Sequence, residues 1–389
     1  MRSSATAGPA GHHVGVPNPT SADGVRVTLV HERFTEFAGS EAVVEQLALE
    51  WPQAPILAPI GLPGVLPPAL EGRLRTTALS RLLRGPTYAH LLPALPVAMR
   101  RLPVPPSDVV IASHHAFATQ VVHATSAPVV AYVHSPARWV WDPAMRAGEV
   151  GGRLGGTALA AFSTGYRPLD RRAAARVRTL VANSHAVAGR IADWWDREAV
   201  VVHPPVDTGF YTPDDAVERE DFFLLAGRLV PYKRPDLAVR AAERAGVPLV
   251  VAGEGRSRAE VAQLAGPRTR FVGRVDDAGL RDLFRRCRAL LMPGVEDFGI
   301  VPVEAQACGA PVVAVDAGGA RDSVLPGVTG ELVPAVGPDE EVAAWARALG
   351  SFDDAAYDAR RTRTHAESFS RARFRSAMAD VVAKTLSAG

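Results

Sequence analysis

The sequence predicts an α/β protein made of two Rossmann-like, doubly wound domains that face each other across a central cleft. Three observations carry this. Short β-branched runs alternate with helix-period stretches along almost the whole chain, as parallel βαβ units do. The alternation stops once, in the turn-rich segment HPPVDTGFYTPDD at 203–215, and restarts with units of similar size. At 389 residues, 47% of them hydrophobic, the chain is long enough to fill two such cores.

Taken in order, residues 1–23 are rich in Gly, Pro, Ser and Ala and lack a signal peptide's apolar run, so they read as a disordered leader. The first domain is expected over 24–202. Its strands are expected at 25–31, 54–60, 108–113, 128–134, 179–183 and 200–203, with helices at 40–50, 87–101 and 184–195. The Gly-rich 148–156 reads as a mobile loop. A linker covers 203–220, where prolines and aspartates break any helix. The second domain, 221–365, places strands at 222–227, 248–253, 270–273, 289–292, 311–315 and 331–333. Its helices fall at 235–245, 258–264, 277–286, 301–308 and 338–349. Residues 366–389 read as a C-terminal helix expected to pack back on the first domain.

Composition narrows the function classes. A net charge of +2 argues against a general nucleic-acid binder. No uninterrupted apolar stretch reaches the length of a membrane span. The two cysteines, Cys287 and Cys308, lie in apolar helical surroundings, so no disulfide framework is expected and a cytoplasmic location is. Of 43 Lys and Arg residues only Lys233 and Lys384 are lysines, which marks Lys233 as a deliberate compact cation.

In doubly wound sheets, ligands bind beyond the carboxyl ends of the strands. There, after the 222–227 strand, stands AGRLVPYKRPD. Gly227 allows a tight turn, and Arg228 and Lys233 can converge on one diphosphate, the first as a fork and the second as a point charge. The second motif is MPGVEDFGIVPVEAQACGAPVVAVDAGG, in which Glu296 and Glu304 bracket seven residues. Gly299 precedes a helix whose first amides are free for an anion or hydroxyls. Glu304, one turn in, can accept both hydroxyls of a ribose.

This pattern resembles the retaining glycosyltransferases of family 4, which have the GT-B fold and carry two glutamates seven residues apart. The resemblance covers roughly residues 25–385 and is most specific over 221–333. It implies that Arg228 and Lys233 hold a donor diphosphate, that Glu296 contacts the donor sugar and that Glu304 contacts the ribose. The backbone at Phe298, Gly299 and Ile300 would line the pocket, and the turn Gly273, Arg274, Val275 resembles the base-binding turn. One departure is Asp322, where related sequences commonly carry Glu. Another is Ala38–Gly39, where the family usually has a glycine pair; Gly39 and Ser40 are still assigned to donor phosphate or acceptor contact.

On the first-domain side, YVHSPARWVWD places His134 at a strand end, where it resembles the family's active-site histidine. It is expected to bond a sugar hydroxyl and lend positive charge to the departing diphosphate. Arg138, Trp139 and Trp141 are expected on the acceptor side, with the tryptophans stacking on a sugar. His114 and His115 read as structural. Together with HPPVD, these motifs resemble a mannosyltransferase-like subgroup whose usual donor is GDP-mannose. The implied acceptor is a glycan or a lipid-linked saccharide. The Arg- and Leu-rich stretch 79–103 fits either an amphipathic helix on the core or peripheral contact with the inner face of a membrane. No cofactor is expected, and no metal, because no His/Cys cluster has metal-ligand spacing in the sequence and His12–His13 reads as a stray surface pair. An epimerase, a phosphorylase and a non-catalytic nucleotide-sugar-binding subunit remain open alternatives.

Overall fold

The computed structural model describes residues 24–85, 87–147 and 153–388. Runs such as VTLVH (Val27–His31), VVAYV (Val129–Val133), LVVA (Leu249–Ala252) and VVAV (Val312–Val315) are buried along their whole length. Such unbroken apolar runs belong to parallel sheets covered on both faces. Two sheets result. The first has seven strands in the order Leu74–Thr76, Ile56–Ala58, Val27–His31, Val109–His114, Val129–Val133, Thr179–Ala182, Val200–Val201. The second has six, ordered Thr269–Gly273, Leu249–Ala252, Phe223–Ala226, Ala289–Met292, Val312–Val315, Gly330–Val333. Every pairing is parallel. Both orders run outward from the first strand in two directions, the Rossmann arrangement, with one strand added at the far edge of the first sheet.

Each sheet is packed on both faces. In the first domain, helix Gly39–Glu50 covers one face through Val43, Val44 and Leu47. Helix His185–Trp195 covers the other through Val187, Ile191 and Trp195. Helix Arg371–Ser387 packs on the first domain rather than the second: Phe374, Met378, Val381 and Val382 join the Gly39–Glu50 core. Arg375 also donates to Gln46 at 2.7 Å. The chain thus passes between domains twice. The two crossings lie side by side, with the Val206 amide donating to the Phe369 carbonyl at 2.9 Å.

Several expectations change on contact with the structure. The expected 54–60 strand splits at Pro59, which has no N–H for the ladder. Ile56–Ala58 stays in the main sheet, and Ile60–Gly61 pairs with Arg33–Phe34. The edge strand Leu74–Thr76 is largely exposed and carries no apolar signal. The expected 87–101 helix is only a turn at Ala89–Leu91 and a short helix at Leu95–Arg100, with Pro93 and Pro96 interrupting it. The stretch 79–103 is therefore not one amphipathic helix. Residues 148–152 of the expected mobile loop lie outside the described residues, as does the expected leader at 1–23; residues 153–156 open the 24-residue helix Arg153–Arg176. Among the described residues no helix is long and apolar enough to cross a membrane.

That long helix buries Asp170 completely. Its Oδ2 accepts the indole N–H groups of Trp141 and Trp195, each at 2.8 Å. Burial pushes the carboxyl up to about 7, against the two indole bonds, which lower it. Between about pH 4 and pH 7 the folded chain therefore holds a proton that the unfolded chain releases, so stability falls as pH rises through this window. The slope approaches about 1.4 kcal/mol per pH unit. Asp170→Asn should flatten that slope in urea denaturation at pH 5 and pH 7; an unchanged slope would place the titration elsewhere.

Candidate active-site cleft

The carboxyl ends of both sheets open on one cleft of about 420 Å³. Glu32 and Arg33 follow strand Val27–His31, His115 follows Val109–His114, and Ser135 to Trp139 follow Val129–Val133. Opposite them stand Arg228 and Tyr232, after Phe223–Ala226, and Asp297, after Ala289–Met292. A larger groove of about 1020 Å³ lies beside Asp108, Arg178 and the C-terminal residues. It borders the amino ends of the first sheet's strands, the wrong end for a ligand site in this architecture.

The second domain supplies opposed charges. Lys233 Nζ lies 2.7 Å from Glu296 Oε1, and both side chains are mostly buried. Arg228 is exposed and carries no ion pair among the described residues. Helix Ile300–Ala307 starts at Gly299, which has φ +87° and leaves the first amides without a side-chain cap. A positive φ of this size is open to glycine at little cost. Glu304 is partly exposed. Burial, together with Asp277 and Asp207, pushes its carboxyl up to about 8, while Arg371 and Lys233 pull the other way. This shift favours the protonated form, which can both donate to and accept from a vicinal diol. Phe298 turns inward against His203 and Phe369, both 5.4 Å away, so only its backbone faces the loop side. Gly273 ends its strand at φ +70°, Arg274 is exposed and Val275 packs on the second-domain core.

The loop bearing Glu296 is held by Gly318 and Gly319. The Gly319 amide donates to the Glu296 carbonyl at 2.9 Å. A Cβ on Gly319 would stand 2.2 Å from the Phe298 Cα.

The first domain supplies buried polar chains. Glu32 accepts the backbone N–H groups of His115 (2.8 Å), Phe117 (2.6 Å), Ala118 (3.1 Å) and Ala116. Burial alone would raise this carboxyl, but His114 and these amides overcome it and hold it below the usual range. Glu41 is held down at about 2 despite burial, through His31 and Ser40. From Glu41 a chain of contacts runs to His31 (3.3 Å), Ser113 (3.1 Å) and His134 Nε2 (2.8 Å). His134 stacks on His115 with ring centroids 4.4 Å apart.

These contacts revise several assignments. Burial, reinforced by His31, lowers His134 to about 3, so it is neutral and cannot lend positive charge to a leaving group; it remains a hydrogen-bonding group. His115, read as structural, lines the cleft, with a buried Nε2 that has no hydrogen-bond partner among the described residues. Trp139 lines the cleft, but Trp141 does not serve the acceptor side: its N–H is bound to Asp170 and its ring stacks on Trp194. Ser40 Oγ donates to Glu41 at 2.8 Å, which occupies its hydroxyl. Gly39 faces the other domain, where an added Cβ would lie 3.1 Å from Ile300 Cδ1.

Sequence reasoning missed Asp297, which stands inside the motif beside Glu296. Its carboxylate receives Arg138 (3.5 Å) and Arg190 from the first domain, and its carbonyl accepts Ser184 Oγ at 2.5 Å. Arg190 lies far away in sequence, so only the fold reveals the clasp. The fold also gathers His185, His203 and Asp322, although no metal-like spacing exists in the sequence.

Against this geometry the comparisons are consistent. Residues 22–210 match the family described as Glycosyltransferase Family 4, and residues 213–356 match Glycosyl transferases group 1. The chain therefore carries the paired domains of a GT4-type glycosyltransferase. Among similar proteins is the D-inositol 3-phosphate glycosyltransferase of Kribbella flavida, 38% identical over 172 residues, which are 36% of this chain and 40% of that protein. The enzyme of the same name from Streptomyces avermitilis is 36% identical over 246 residues, 54% of this chain and 52% of that one. The chain thus spans about half the length of these curated relatives. The GT-B fold is shared with Anabaena HepE in complex with UDP-glucose (TM-score 0.68, 19% identity, 92% of this chain, 99% of that one). It is shared equally with the sucrose-phosphate synthase of Thermosynechococcus elongatus (TM-score 0.66, 17% identity, 93% of this chain, 100% of that one).

The glycine contact gives a direct test of the site's architecture. Gly319→Ala should lower stability by about 2 kcal/mol and displace Glu296, seen as a lower melting temperature together with lost nucleotide binding. Wild-type behaviour in both would show that the loops are not locked in this way.

Proposed function

We propose that the chain transfers a hexosyl group from a nucleoside-diphosphate sugar to an acceptor hydroxyl, with retention at the anomeric carbon. The observation that carries this reading is the Lys233–Glu296 pair at 2.7 Å, just ahead of the uncapped helix start at Gly299, with Arg228, which carries no ion pair among the described residues, following the same strand as Lys233. A diphosphate answers Arg228, Lys233 and the helix amides; sugar hydroxyls answer Glu296; a ribose diol answers Glu304. In the reaction, the bond from the anomeric carbon to the diphosphate oxygen breaks. The acceptor oxygen bonds that carbon from the same face, and its proton passes to the departing phosphate. The protein's part is to hold the partners in register and to meet negative charge as it develops on the diphosphate. His134 and His115, both neutral, serve as hydrogen-bonding groups on the sugar side.

The motif set favours mannosyl transfer from GDP-mannose. A UDP-hexose is the second reading, supported by the ligand named for HepE. For the acceptor, Arg33 and Arg256 border the cleft and suit an anionic polyol. The name of the curated relatives, which specifies inositol 3-phosphate, points the same way. A glycan or lipid-linked acceptor remains the alternative, and liposome co-sedimentation tests the membrane contact it would need.

A thermal-shift panel of GDP-mannose, UDP-glucose, UDP-N-acetylglucosamine and the free nucleotides selects the donor, because a ligand bound only by the folded state raises the melting temperature. Stabilisation by GDP compounds supports the mannosyl reading, and stabilisation by UDP compounds alone removes it. Glu296→Gln should cut turnover of the selected donor by about 100-fold with the melting temperature nearly unchanged; full activity would refute the site assignment.

A further inference from the structure

Three separate segments meet at the hinge. His185 opens helix His185–Trp195 of the first domain, His203 sits in the crossing after strand Val200–Val201, and Asp322 belongs to the short second-domain helix Ala320–Ser323. One ligand atom from each falls within 4.8 Å of the others. The Asp322 side chain is only 7% exposed. Its Oδ2 accepts the His185 backbone N–H at 3.1 Å, which fixes the carboxylate and leaves Oδ1 facing both imidazoles. His185 Nδ1 contacts Oδ1 directly, and His203 Nε2 stands 3.5 Å from it.

An ion pair alone leaves this arrangement incomplete. The His203 Nε2 is buried, and the acceptor it faces among the described residues, Asp322 Oδ1 at 3.5 Å, is at the long limit of a hydrogen bond. An unsatisfied buried polar atom costs about 1–3 kcal/mol. The ring cannot readily swing away, because it packs against Phe298 at 5.4 Å and Phe369 at 5.2 Å. His185, by contrast, is 75% exposed, so the cluster is open to solvent on one side.

We propose that His185, His203 and Asp322 bind a divalent transition-metal ion of the zinc class, with solvent completing the coordination. Two imidazole nitrogens and one carboxylate oxygen suit a borderline ion; magnesium and calcium prefer oxygen ligands throughout. The His185 amide acts as the outer partner that orients the carboxylate, as second-layer groups do in metal sites. Because the ligands come from both domains and the crossing between them, the ion fastens the hinge. The site is independent of the transferase reading and stands or falls without any activity measurement.

The test uses the full chain, untagged and stripped with chelator, titrated with Co(II) and then with Zn(II). The expected result is one saturable equivalent of Co(II) with ligand-field absorption, displaced by Zn(II), and a higher melting temperature in either metal. His185→Gln and His203→Gln should each remove the tight equivalent. The double variant His12→Ala/His13→Ala, which removes the adjacent histidine pair near the start of the sequence, should keep it. If His203→Gln folds poorly, the exposed His185→Gln decides alone. Uptake without fixed stoichiometry, uptake that survives His185→Gln, or uptake lost with His12 and His13 overturns the site.

Discussion

The cleft depends on one carboxylate. Asp297 leaves the second domain and is met by Arg138 and Arg190 of the first, while its own carbonyl receives Ser184. Two parallel sheets placed side by side have no reason to aim their carboxyl ends at each other. A partly buried ion cluster supplies one, because its charges are costly unless paired. It also sits next in sequence to Glu296. The residue that orients the domains and the residue that faces the donor therefore share a loop, and neither can move without the other.

That loop is short of space, and the lack of space is what fixes it. Gly318 and Gly319 lie against the backbone of Glu296, Asp297 and Phe298 so closely that any side chain would collide with it. Behind the loop, Phe298 packs with His203 and Phe369, residues of the two crossings between domains. Hinge, loop and site thus form one packed unit. Asp322 fits this arrangement. Its side chain stays within the hinge and meets His185 and His203 there.

How much of this the sequence could show follows the range of the interactions. Strands such as 289–292 and 311–315 are short apolar runs between helical patterns, so their own residues announce them, and so do helices such as Pro235–Ala245 with its proline at the first turn. The Arg228, Lys233, Glu296 and Glu304 set could be proposed from sequence because the first three follow strands and Glu304 lies one turn into a helix. What stayed hidden depends on residues far apart in sequence or on weak local signals. Leu74–Thr76 is a strand only because a neighbour offers its edge. The Arg153–Arg176 helix contains Gly155, Gly156, Gly165 and Pro168, which argue locally against it. Glu32, in its loop, looks like any acid until the fold brings four amides to it. Trp141 looked like an acceptor platform until Asp170 claimed it.

On the transferase reading, the Lys233–Glu296 pair explains how a cleft this charged can wait without its donor. Lys233 and Glu296 neutralise each other at 2.7 Å. An arriving diphosphate competes with Glu296 for Lys233, and the sugar's hydroxyls offer Glu296 new donors in exchange. One internal pair is replaced by two contacts to the ligand, so binding leaves neither charge stranded. Arg228 has no such partner among the described residues and can answer the diphosphate from the start. As the anomeric bond breaks, negative charge grows on the phosphate oxygens, and both cations and the Gly299 helix amides gain from it more than they did in the ground state. A stabilisation that increases along the reaction in this way raises the rate rather than only the affinity.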